Sequence, residues 1–276
     1  MSDFSNLAGS DFLQRWHARF PGATTKQFAP ATIPGLGRSS YELLVDDLGS
    51  LPHLSSVLDV ACGDGYLLER VGERFAATQL IGIDASLEEL ALARARSGVS
   101  KFQLIEGRAD AMPFEKAVFD AVTCHMALML FDDARAVVHE IARVVRPGGI
   151  FAAVLGPAPG ASEAVKRFGR KLNEVERANG LAPLDIGDPA VQSGGLRGVF
   201  ESEEWSSLSL DMIALRFEGN DRVREMLMGM YNTARLSENS RQELDEHLSE
   251  EFKRTSEQDV PTAWTLGLCH LVARRA

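Results

Sequence analysis

Five short apolar runs punctuate the middle of the chain, at Ser56 to Val60, Gln79 to Asp84, Phe102 to Glu106, Phe119 to Cys124 and Ile150 to Leu155. The stretches between them carry helical spacing. Ser86-Leu87-Glu88-Glu89 has the form of a capping box ahead of a segment rich in Ala and Leu. Ala134, Val137, Val138, Ile141 and Val145 make one apolar stripe that stops at Pro147-Gly148-Gly149. Strand and helix in alternation predict a parallel sheet joined by crossover helices.

Beyond Leu155 the pattern changes. Two more strands are predicted, Trp205 to Leu215 and Thr262 to Val272. Val165, Phe168, Leu172 and Val175 are spaced for an amphipathic helix before the first of them. Val223, Leu227 and Met230, then Leu244, Leu248 and Phe252, are spaced for helices between the two. At the other end, a helix near Asp11 to Phe20, a loop punctuated by Pro and Gly from Pro21 to Arg38, and a helix from Ser39 to Leu48 precede the first strand.

The segment Val57 to Gly65, Val-Leu-Asp-Val-Ala-Cys-Gly-Asp-Gly, describes a strand running into a glycine turn, and Ile81-Gly82-Ile83-Asp84 ends a second strand on a carboxylate. Glycine turns of this kind also hold dinucleotides, through a helix N-terminus that favours anions. Here Leu68 stands where the third glycine of that pattern belongs, and Asp59, Asp64 and Asp84 surround the turn with negative charge. A pyrophosphate would be repelled; a cationic ligand fits. Asp84 lies nineteen positions after Gly65, close to the offset of about 20 residues at which a strand-end carboxylate meets ribose hydroxyls.

With Ala109-Asp110-Ala111-Met112-Pro113-Phe114, Phe119-Asp120-Ala121-Val122 and Val145-Arg146-Pro147-Gly148-Gly149 added in order, the span from Val57 to Leu155 resembles the class I S-adenosylmethionine-dependent methyltransferases. Ala61 departs from the pattern, standing where many members carry the first glycine. The resemblance implies a Rossmann-like α/β fold, a mostly parallel seven-stranded sheet with helices on both faces. It also implies a final antiparallel hairpin, so that 218–260 becomes a helical insertion before the last strand. On this reading 1–50 forms an N-terminal helical lid and 51–276 the methyltransferase domain, with helical caps near 160–200 and 218–260.

The cofactor would be S-adenosyl-L-methionine, leaving as S-adenosyl-L-homocysteine. Carried over residue by residue, Asp84 and the adjacent Ala85 would meet the ribose, while Ala61, Cys62, Gly63 and Gly65 would offer backbone to the methionine portion. Asp59 would orient the ammonium. Asp110 would accept from the adenine amine, with Ala111 giving a backbone amide and Met112 packing near the base. His125, directly after the fourth strand, would lie near the transferable methyl, either as a general base or as a packing residue.

Four other histidine and cation assignments are weighed against plainer ones. His17, beside Trp16 on the lid, is a second candidate base. His139 reads as a solvated face and His270 as a hydrogen-bonded core residue. Lys166, Arg167, Arg170 and Lys171 could greet an anionic acceptor, but the stripe at Val165, Phe168 and Leu172 makes them the wet side of a helix. An enclosed acceptor pocket would draw on Phe4, Phe12, Trp16, Phe20, Phe28, Tyr41, Met226, Met228, Met230 and Tyr231.

Charge narrows the partners. A formal net charge of −10, from 39 acidic and 29 basic residues among 276, disfavours a phosphate-tracking surface, so nucleic acid is not the expected substrate. The expected acceptor is a small molecule, methylated on oxygen by preference because His125 offers a base, with nitrogen or carbon open. RNA or protein methylation, or a binding module that keeps the fold without turnover, are the alternatives. No apolar run reaches membrane-spanning length and no leader is legible, which leads to the expectation of a cytoplasmic protein. Cys62, Cys124 and Cys269 are too far apart for a zinc knuckle, and no histidine spacing suggests a metal. The flanking thirds match no motif, so acceptor identity, regiochemistry and oligomeric state stay open.

Overall fold

The computed structural model describes residues 4–76, 78–96, 102–192, 194–202, 204–257 and 264–276. Its N-terminal helices are α1 (Gly9–Arg19), α2 (Ala23–Phe28) and α3 (Ser40–Leu48). A repeating strand and helix unit follows: β1 (Ser56–Val60), α4 (Tyr66–Arg74), β2 (Gln79–Asp84), α5 (Leu87–Arg96), β3 (Phe102–Glu106), β4 (Phe119–His125), α6 (Ala134–Val144) and β5 (Val145–Leu155). The remainder comprises α7 (Glu163–Ala178), the short α8 (Pro189–Gln192) and α9 (Leu196–Val199), β6 (Trp205–Phe217), α10 (Asn220–Met228), α11 (Tyr231–Ala234), α12 (Glu238–Glu257) and β7 (Trp264–Arg275).

The strands form one seven-stranded sheet in the order β3-β2-β1-β4-β5-β7-β6. The first five are parallel, and β7 and β6 run antiparallel to their neighbours. Val57, Leu58 and Val60 of β1, and Ala121, Val122 and Cys124 of β4, are fully buried, because helices cover both faces of the central strands. From β1 the chain goes to β2 and β3 on one side, then returns to β4 and β5 on the other. That reversal opens a crevice at the C-terminal ends of β1 and β4, where ligands bind in open sheets of this kind.

The seven predicted strands are all present, and the antiparallel pair closes the sheet as expected. Thr262 and Ala263, the predicted start of the last strand, lie outside the described residues. Three local expectations are corrected. The loop from Pro21 to Arg38 contains α2. The apolar stripe of α6 ends at Val144, and Val145 to Gly149 already belong to β5, whose pairing with β4 shifts between Phe119 and Ala121. The Ser86 cap is half formed: the Glu89 N–H donates to Ser86 Oγ at 3.2 Å, but the Glu89 carboxylate turns elsewhere. The complete capping box is at Ser39, where the side chains and backbones of Ser39 and Glu42 bond reciprocally.

The C-terminal helices do less roofing than the sequence suggests. Helix α12 packs on α7, through Arg167 to Glu251 at 2.9 Å and Lys171 to Glu243 at 2.6 Å, so half of the basic cluster is spent on an interhelical contact. No described residue of 160–200 reaches the crevice wall, and from 218–260 Tyr231 alone does so.

Candidate active site at the sheet switch point

A cavity of about 500 Å³ fills the crevice, floored by the ends of β1, β2 and β4 and roofed by α1, α2 and Tyr231. Its floor is the turn after β1. Ala61, Gly63 and Gly65 alternate there at φ of 54°, 52° and 76°. The Cys62 N–H donates to the Ile83 carbonyl at 3.1 Å, and the Gly65 N–H to the Cys62 carbonyl at 3.0 Å. This tight turn lies on β2 because residue 82 lacks a side chain: a Cβ there would stand 2.6 Å from Cys62 Sγ and 2.8 Å from Leu68 Cδ1.

Three aspartates meet this floor in different states. Asp59 is 2% exposed and accepts from Thr123 Oγ1 at 2.8 Å. Burial pushes its carboxyl up to about 7, against that hydrogen bond and with the neighbouring Asp84 and Asp64 charges adding. Asp84 accepts from the Gly63 N–H and the Ser86 N–H, both at 2.8 Å, so it also caps the start of the next segment. Burial raises its carboxyl as well, with the two amides opposing. Asp64 is neutralised: Arg96 Nη2 lies 2.6 Å from its Oδ2, and Thr25 Oγ1 donates to its Oδ1 at 2.6 Å. Among the described residues no lysine or arginine pairs with Asp59 or Asp84. The buried Asp59 and the half-buried Asp84 therefore face the cavity without a lysine or arginine, an arrangement suited to a positively charged or hydroxyl-rich ligand.

Ala61, Cys62, Gly63, Ala85 and Asp110 line the cavity with them. Asp110 is held below the usual carboxylate range by a two-pronged contact with Arg108, at 2.9 and 2.6 Å. Gly65, Ala111 and Met112 do not line it. Gly65 instead lets α4 lie against α5, since a Cβ would sit 3.0 Å from that of Ala93. Ala111 is exposed and its N–H turns back to the Arg108 carbonyl at 3.4 Å. Met112 is buried in the core, its N–H donating to Glu140 Oε2 at 2.9 Å while Arg143 binds the Met112 and Phe114 carbonyls.

The two candidate bases differ sharply. His125 is 8% exposed, lies flat against Tyr41 at 3.6 Å between centroids, and has Nε2 2.9 Å from Ser40 Oγ. Burial drives its pKa down to about 3, so the ring is neutral and a weak base near pH 7. Of the two roles open to His125, this burial accords with the packing residue rather than the general base. His17 keeps a partly open side chain, with Nδ1 3.0 Å from Glu89 Oε1 and Nε2 3.3 Å from the Tyr231 hydroxyl. Of the anticipated aromatic and methionine residues, Tyr41 and Tyr231 line the cavity. Phe4, Phe12 and Trp16 back Tyr231, Phe28 and Met226 are core, and Phe20 and Met230 are exposed. His270 bonds Asp47 at 2.7 Å and His139 sits beside Glu204, as their quieter readings require.

Sequence reasoning missed Glu89, Thr25 and Tyr66 as cavity residues. Glu89 was visible as a capping residue, and no spacing rule brings it to a histidine 72 positions away.

Residues 58–153 match the family described as Methyltransferase domain. The chain is 30% identical over 133 residues to the uncharacterized methyltransferase YdaC of Bacillus subtilis (strain 168), covering 48% of this chain and 74% of that one. It is 38% identical over 109 residues to the demethylmenaquinone methyltransferase of Lactococcus lactis, covering 37% and 42%. Among solved structures, the YcgJ protein of Bacillus subtilis superposes with a TM-score of 0.53 at 20% identity, over 85% of this chain and 97% of the other. The seven-stranded fold thus has its counterpart in a known class of group-transfer enzymes. The chain belongs to the class I S-adenosylmethionine-dependent methyltransferases. Among the described residues, no helix is long and apolar enough to cross a membrane, and no cluster of His, Cys, Asp or Glu could hold a metal ion.

Proposed function

We propose that the cavity binds S-adenosylmethionine and a small-molecule acceptor together, and that this chain moves the methyl group to an oxygen of that acceptor. The observation that carries the reading is the pair of cavity carboxylates with no lysine or arginine partner, the buried Asp59 and the half-buried Asp84. When bound, the cofactor supplies a methyl group on a cationic sulfur. Asp84 then accepts from the ribose hydroxyls, Asp59 faces the ammonium, and the carboxylate of Asp110 takes the adenine amine at the cavity rim. The cavity, about 500 Å³, falls within the usual range of ligand pockets, roughly 300–1,000 Å³. Methyl transfer needs nucleophile, carbon and sulfur held in line more than it needs charge stabilised, so a closed roof that positions and dries the site is most of the catalysis.

The Lactococcus relative, by its name, methylates demethylmenaquinone, which supports a small-molecule acceptor. Both histidines line the cavity, but burial makes His125 a weak base, so the base role passes to His17.

Calorimetric titration with S-adenosylmethionine and S-adenosylhomocysteine tests the reading. Micromolar binding is expected, and Asp84→Asn should weaken it by about 100-fold, as expected for hydrogen bonds to a charged group of ~3 kcal/mol in total. Undiminished affinity in that variant would remove the ribose assignment, and no binding by the wild type would remove the function.

A further inference from the structure

Glu89 is 3% exposed and both its oxygens are engaged. Oε1 faces His17 Nδ1 at 3.0 Å, and Oε2 accepts from the Gly22 N–H at 3.0 Å. A carboxylate accepts and cannot donate, so the His17 proton belongs on Nδ1 and the ring presents the Nε2 lone pair on its other side. There it meets the Tyr231 hydroxyl across 3.3 Å, a long contact that a ligand can displace. Trp16 and Phe12 pack edge-on against the Tyr231 ring, at 4.7 and 5.9 Å, and fix its place in the roof.

We propose that Glu89 and His17 form a relay in the cavity wall, Glu89 holding the ring and His17 Nε2 taking the proton of a hydroxyl acceptor seated beside the Tyr231 hydroxyl. The proposal rests on the methyl-transfer reading and adds to it the acceptor class and the residue that arms the base. An amine attacks with a lone pair it already has and can lose its proton afterwards. A hydroxyl is a poor nucleophile until its proton is leaving, and only then is a fixed, neutral imidazole of value.

In the step itself the acceptor O–H bond breaks and its proton goes to Nε2. The freed oxygen pair forms the bond to the methyl carbon as the carbon–sulfur bond breaks toward sulfur. A neutral thioether results, and the positive charge ends on the His17 ring against Glu89. His17 is the catalytic residue here, Glu89 a positioning residue, and Tyr231 marks the seat. Ser10 and Gln14, on the helix that carries His17, also line the cavity and give its lid polar groups suited to a small hydroxylated compound.

The variant Glu89→Gln gives a readout that a merely structural role would not move. The Gly22 N–H keeps an acceptor oxygen opposite it, so the glutamine amide turns its NH2 toward Nδ1 and the ring proton shifts to Nε2. Nitrogen-15 spectra of the histidine rings, taken on the full chain with S-adenosylhomocysteine bound, should show His17 protonated on Nδ1 in the wild type and on Nε2 in E89Q. In a labelled-methyl assay over phenols and hydroxy acids, with matched amines and thiols, the hydroxyl compounds should be the acceptors. E89Q and H17A should each lose about 10²- to 10⁴-fold in kcat, with affinity for S-adenosylmethionine within threefold of wild type.

A wild-type ring protonated on Nε2, or an E89Q enzyme within threefold of wild-type kcat, overturns the relay. Amines or thiols methylated in preference, or no hydroxyl compound accepting methyl, overturn the acceptor class. Failure of the wild type to bind S-adenosylhomocysteine would instead strike the underlying reading.

Discussion

At Asp59 a single carboxyl couples cofactor binding to pH. Its folded value of about 7 lies above the ordinary 3.8. Between those values the folded state holds a proton that the unfolded chain has released, so its stabilising share is full below 3.8 and is lost as pH rises through 7. Thermal melts of the ligand-free protein should therefore show Asp59→Asn flattening the decline in stability between about pH 4 and 7. The ionised form is the one that attracts an ammonium, so affinity for S-adenosylmethionine should climb from pH 6 toward 8, by up to about tenfold per unit below pH 7. The Asp59→Asn variant should lose that climb, which titration at three pH values will reveal. His125 behaves oppositely. Its folded value of about 3 lies below the usual 6.5, so its share is present above 6.5 and is lost as pH falls through 3. Replacement by Phe should flatten the acid side of the same melting curve. Asp59, Asp84 and the glycine turn were legible in the sequence because the cofactor imposes them as a contiguous pattern. The inertness of His125 was not, since it comes from Ser40, Tyr41 and Phe28, whose approach no local pattern encodes.

Among the elements, the roof is held down by carboxylates of the floor. Glu89 of α5 grips His17 and the Gly22 N–H, and Asp64 of the turn grips Thr25 of α2. Closure of the lid therefore depends on these two side chains. Thr25→Val removes the bond to Asp64 and the longer contact with the Tyr41 hydroxyl and leaves the shape, at a cost of about 1 kcal/mol. Amide exchange across α1 and α2 should quicken about fivefold, while exchange in β1 and β4 stays as it was. On the floor side, Gly82→Ala would drive a methyl into Cys62 and Leu68. An overpacked contact of this kind costs about 1–3 kcal/mol, so a lower melting temperature with weakened cofactor binding is expected. The strands and the helix from Ser39 could be read because strand runs and a capping box are local signals. Helix α2 could not, since its six residues follow Gly22 at φ 75° with no side-chain cap.

For the molecule as a whole, the sheet order was implied by the resemblance to a known family rather than by periodicity, which gives strands but not their neighbours. What the order adds is an interior position for β7, between β5 and β6. Partners of the roof are equally remote in sequence: Tyr231 and His17 stand 214 positions apart. During synthesis the edge of β5, with Ile150 to Leu155 buried in the finished fold, has no neighbour until Trp264 onward has left the ribosome. At ribosomal rates that wait lasts about 5–20 s. Over that interval the nascent chain presents a long apolar strand edge, the kind that recruits holdase chaperones or pairs with a copy on the next ribosome. A shortage of such chaperones should thus lower the yield of this protein before it affects the activity of the molecules that do fold.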